Sequence, residues 1–64
     1  MESKNEGRWI VVTGVEKKER YAVNTDNINY IHELPDGHAV ISFADYDLQL
    51  HTEESFDMIG EMIK

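Results

Sequence analysis

Between residues 8 and 52 the apolar side chains recur at every second position in short runs, and only after Thr52 does their spacing lengthen to about 3.6. A period of two sends successive side chains to opposite faces of an extended chain, so this stretch calls for strands and the turns that join them. "RWIVVTGV" opens the pattern, with Trp9, Val11 and Thr13 on one face and Ile10 and Val12 on the other, a strand with both faces wanting cover. "GVEKKER" supplies a polar hairpin tip, and "YAVN" returns with Tyr21 and Val23 on a shared face. "NTDN" is a corner, because asparagine and aspartate side chains bond the nearby backbone and tolerate left-handed conformations.

"INYIHEL" reads as a third strand and "AVISFA" as a fourth, reversed between them by "LPDGH". Proline presets that turn, aspartate bonds the backbone, and Gly37 takes the positive φ. A loop of Pro35, Asp36 and Gly37 sets Leu34 opposite His38, His32 opposite Val40, Ile31 opposite Ile41 and Tyr30 opposite Ser42. "DLQLHT" alternates as a fifth strand, with Leu48 and Leu50 inward and Gln49 and His51 outward. In "TEESFDMIGEMIK" the spacing predicts a docked amphipathic helix with Thr52 as N-cap, acids in its first turn, and Phe56, Ile59 and Ile63 on the buried face. Gly60 inside it costs about 1 kcal/mol relative to alanine, which fits either a close approach to a neighbour or simple tolerance. The fold class is therefore α+β and mainly β: five short antiparallel strands in a small curved sheet or barrel, then one C-terminal helix. Residues 8–64 form the single domain, and "MESKNEG", residues 1–7, is expected to be a flexible arm.

With 64 residues, a chain hides only about 60% of its unfolded surface, so the core is thin. The absence of cysteine excludes a disulfide framework and a cysteine zinc site, and suits a cytoplasmic setting. The N-terminal residues lack the basic start and apolar run of a secretory signal, and no apolar segment reaches membrane-spanning length. Charge is divided unevenly: from residue 21 onward nine acids face only Lys64, and the whole chain carries a formal −7. That surface repels nucleic-acid phosphates and suits a protein partner with a basic surface, for which Glu53, Glu54 and Asp57 are the candidate binding residues.

The span "WIVVTGVEKKERYAVNTDNINYIHELPDGHAVISFADYDLQLHTEESFDMIGEMI" resembles the small flagellar-operon FlbD-type proteins. The features that carry the resemblance are an initial strand ending in threonine, the Asn24-x-Asp26-x-Ile28 corner, two successive hairpins, and Glu54-Ser55 before an apolar helix. It implies a small sheet or barrel-like protein with no catalytic residue; where that family reverses its last hairpin with Asn-Gly, this chain has "FADYDL". The part from Ile28 onward is also faintly similar to the tail of LytTR-type DNA-binding domains, without their first half or their basic residues.

Three histidines, His32, His38 and His51, accompany Asp26, Glu33 and Asp36, yet they sit six and thirteen residues apart with no ligand spacing. No phosphate-binding loop, dinucleotide fingerprint or nucleophile set is present either, so neither cofactor, metal nor catalysis is expected. What stands out is a half-apolar patch of Tyr30, His32, Leu34 and Val40, opposite a core of Ile31, Ala39, Ile41 and Phe43 with Leu48, Leu50, Phe56, Ile59 and Ile63. Trp9 adds a second interface-type side chain, and a thin core favours self-association. These features together describe a small non-enzymatic, self-associating module, of a phage-type or operon-encoded kind, that regulates or inhibits a protein partner. The alternative is an oligomer that sequesters a small nucleotide-like ligand between subunits, stacked on Trp9, Tyr21, Tyr30, His32 or Tyr46, with Lys17, Lys18 or Arg20 for an anionic group.

Overall fold

The computed structural model describes residues 8–44 and 47–64, so the expected N-terminal arm and Tyr46 lie outside the described residues. Two strands, β1 (Trp9–Thr13) and β2 (Arg20–Asn24), form an antiparallel pair with Trp9 opposite Asn24 and Thr13 opposite Arg20. The tip between them closes with the Gly14 N–H on the Glu19 carbonyl at 2.8 Å and the Lys18 N–H on the Gly14 carbonyl at 3.0 Å. The "NTDN" corner is a single 3-10 turn, Thr25–Asn27, fixed by the Asn24 side chain accepting from the Asp26 N–H at 2.9 Å.

The remaining strands, β3 (Ile28–Glu33), β4 (His38–Phe43) and β5 (Gln49–Ser55), make a second antiparallel sheet in that order. Its first hairpin has the expected register, His32 opposite Val40 and Ile31 opposite Ile41. Gly37 holds φ 93, its N–H reaches the Leu34 carbonyl at 2.8 Å, and Asp36 accepts from the His38 N–H at 3.1 Å. Among the described residues the expected five antiparallel strands and C-terminal helix are present, the strands divided into sheets of two and three. Contact between the sheets is made where Gly14 lies opposite Thr52 and the Val15 N–H donates to the His51 carbonyl at 2.9 Å.

The helix α1 runs Phe56–Ile63, and its cap corrects the sequence expectation: Ser55, not Thr52, accepts the Met58 N–H, at 3.1 Å. Thr52 instead lies fully buried in β5, its hydroxyl 2.9 Å from the Glu54 carbonyl and 3.3 Å from the Ala39 carbonyl. A threonine suits a strand because its branched Cβ fits the pleat, and its one hydroxyl proton finds an acceptor there. Glu53 and Glu54 consequently belong to the strand and gain nothing from the helix dipole. At the other end of α1, the Arg8 guanidinium donates to the carbonyls of Met62 and Lys64 at 3.2 and 2.9 Å, where the dipole favours a cation.

The core lies between the sheets and α1, with Ile10, Val12, Val23, Ala39, Ile41 and Ile59 buried and Ile31, Phe43, Leu50 and Ile63 packed against them. Three expectations fail here. Trp9 and Val11 stay 63% and 48% exposed, so only one face of β1 is covered. Leu48 is 59% exposed, one residue ahead of β5, its carbonyl accepting from the Phe43 N–H at 3.4 Å; Phe56, at 36%, sits at the rim of the helix. A Cβ on Gly60 would meet nothing within 4 Å, so no close approach requires glycine there.

A candidate binding groove between the sheets

The two sheets join along Thr13, Gly14 and Val15, which face Glu54, Thr52 and His51 of β5, and beside that junction lies a groove of about 550 Å³. It is lined by Tyr21 to Asn24 of β2, by Leu48 with Gln49 to His51 of β5, and by Phe43 and Asn27. Trp9, Tyr21 and Leu48 give it an aromatic and aliphatic surface that the described residues leave uncovered. Asn24, Asn27 and Gln49 supply amides, and Glu16 and Lys17 from the hairpin tip supply charge.

Gly14 shapes the inner end. A Cβ at that position would stand 2.9 Å from the Tyr21 ring, so the missing side chain is what lets the ring lie against the strand. The Tyr21 hydroxyl donates to the Glu19 carboxylate at 3.1 Å. That bond, with burial and the negative charges of Glu19 and Glu16, raises the Tyr21 pKa above its usual 10.0. The neutral phenol is the donor, so this contact stabilises the fold below the ordinary tyrosine range and is lost as pH climbs through the raised value.

The residues singled out in the sequence do not assemble as one site. Glu53 pairs with Lys18 at 2.6 Å, and Glu54 accepts from the Thr13 N–H at 2.8 Å and from its hydroxyl at 3.0 Å. Both carboxylates are therefore committed within the chain; Asp57 stands exposed in the first turn of α1, with no such bond among the described residues. Tyr30 and His32 do share an exposed face, ring centroids 6.2 Å apart, but Val40 is only 7% exposed. It occupies the central strand between His32 and His51, whose long side chains flank it on both sides. Leu34 is half-buried where the turn begins.

Trp9 joins the groove, whereas Tyr30 lines a shallower hollow with Asn29, Ser42, Phe43, Asp47, Leu48 and Gln49. The imidazoles of His38 and His51 approach to 5.7 Å, and Asp36 lies 3.4 Å from His38 Nδ1. Among the described residues no three ligand-type side chains converge. Tyr21, expected among the stacking side chains, does line the groove, whereas Leu48, expected inward, lines it from a largely exposed position just ahead of β5. Comparison with protein-family models, curated proteins and solved structures finds no match to this chain. Among the described residues no helix is long and apolar enough to cross a membrane.

Proposed function

We infer that this chain is a small non-enzymatic binding module that regulates or inhibits a protein partner with a basic surface. One observation carries the reading: a groove rimmed by Trp9, Tyr21 and Leu48, which the described residues leave uncovered, on a chain of formal charge −7. Aromatic side chains in a concave site are the usual anchors of protein recognition, and the acidic field steers a cationic partner toward them. The partner site thereby moves from Glu53, Glu54 and Asp57 to the groove. A cytoplasmic setting remains part of the proposal, as does self-association through the Tyr30 and His32 face; a monomeric mass in light scattering at tens of micromolar would remove the latter.

The groove volume also falls within the range of about 300–1,000 Å³ occupied by small-molecule sites, which favours the sequestering alternative. Lys17 is the one cation among its lining residues, beside Glu16, so a polyanionic nucleotide is poorly matched in charge. Affinity capture with the wild-type chain and with Leu48→Asp separates the two. The expected result is a cationic protein retained by the wild type and lost by the variant. A small molecule retained in native mass spectrometry, with no protein captured, would transfer the function to sequestration.

A further inference from the structure

Two of the three histidines meet on the outer face of the larger sheet. β4 turns Ala39 and Ile41 into the core and His38, Val40 and Ser42 away from it, and β5 sets His51 opposite Val40. His38 is therefore the diagonal neighbour of His51, a backbone separation of about 7–8 Å that long side chains bridge. A bulge makes this pairing. His38 lies opposite Ser55 while Ala39 stays opposite Thr52, so Glu53, which a regular ladder would set across from His38, has no partner on β4 and turns to Lys18 at 2.6 Å. The two rings stand with centroids 5.7 Å apart and planes at 66°.

Asp36 holds one of the rings from behind. One of its oxygens accepts the His38 N–H at 3.1 Å and the other lies 3.4 Å from His38 Nδ1. A carboxylate there favours the proton on Nδ1 and leaves the Nε2 lone pair for a ligand, the orientation that metal-binding histidines commonly take. Both rings reach solvent, with 40% of the His38 side chain exposed. Two imidazoles bound to one ion through bonds of about 2.0–2.1 Å have their centroids about 5 Å apart, so closure asks for a movement of roughly half an ångström.

We propose that His38 and His51 chelate a single divalent ion of the imidazole-preferring class, zinc or copper(II), with Asp36 as the positioning residue. Among the described residues no third ligand-type side chain joins the pair, so water fills the other positions of the ion. His32, which faces Val40 from the far strand, stands two strand spacings, about 10 Å, from His51 and takes no part. The ion sits beside the turn of Pro35, Asp36 and Gly37 and pins β4 to β5 where their ladder is interrupted.

The test titrates zinc chloride into the full chain, with magnesium chloride as control, because a chain of formal charge −7 attracts any dication whereas imidazole discriminates against magnesium. In nitrogen-15 spectra of the rings, zinc is expected to move the His38 and His51 resonances with one ion per chain, to leave His32 in place, and to hold His38 in its Nδ1–H form. The wild type is expected to melt a few degrees higher with zinc. His38→Gln and His51→Gln are each expected to weaken zinc by about tenfold or more. Asp36→Asn, whose amide oxygen still accepts the His38 N–H, is expected to weaken it by about tenfold and to release the His38 ring from its single tautomer. No ring shift at millimolar zinc, equal shifts with magnesium, equal movement of His32, or full-strength binding in either histidine variant overturns the proposal. Full-strength binding in Asp36→Asn overturns its positioning role. The ring shifts of the wild type decide the matter even where a variant fails to fold.

Discussion

Replacing Ile41 with alanine is expected to remove about 3 kcal/mol of stability, within the range of about 2–5 kcal/mol for truncating a buried isoleucine. Ile41 has no exposed surface, and its cross-strand neighbours are Ile31 and Leu50. The row continues into the helix, where Ile59 is equally buried. A central strand under a helix has little freedom to collapse into the vacated space, so the cavity term is added to the lost burial. A domain of this length is stable by only about 3–10 kcal/mol in total, so one such cavity consumes a large share. Urea unfolding followed by circular dichroism measures it, and a loss below about 1 kcal/mol would show that the core is not centred on β4.

Replacing Glu54 with alanine is expected to cost about 2 kcal/mol, more than the same change at Glu53. The Glu54 carboxylate accepts two bonds from Thr13, one from the backbone N–H and one from the hydroxyl, and thereby ties β1 to β5 beside the Gly14 bridge. Its removal leaves a half-buried backbone donor to find water, which is the costly side of losing a charge-assisted bond. Glu53 faces an exposed lysine, a pair worth less than about 1 kcal/mol. Hydrogen exchange at the Thr13 amide is expected to quicken in Glu54→Ala and to stay unchanged in Glu53→Ala. Equal and small effects in both variants would return these carboxylates to the surface and reopen them as partner contacts.

Local chemistry made much of this fold legible. The Pro-Asp-Gly turn fixed the register of β3 on β4 because a loop of set length leaves few pairings, and the Asn24 and Asp26 corner announced itself through side chains that bond the backbone. The end of β5 was illegible for a physical reason. Thr52-Glu53-Glu54-Ser55 offers two hydroxyl caps three residues apart, and the choice is made by the Gly14 bridge and the Thr13 bonds, contacts distant in sequence. The site was less legible still. A groove is a gap between elements, and its position depends on where β1 joins β5. Local spacing carries no record of that. The exposed Leu48 shows the same limit, since two leucines two apart look identical until one of them precedes the strand.

Recognition in the groove, and not at the start of the helix, is read out by hydrogen–deuterium exchange of the full chain, alone and saturated with the cationic protein it captures. Exchange is expected to slow over Tyr21–Asn24 and Leu48–His51 and to stay unchanged over Glu53–Asp57. Protection gathered on Glu53–Asp57, with Tyr21–Asn24 exchanging as freely as before, would place recognition at the helix start instead.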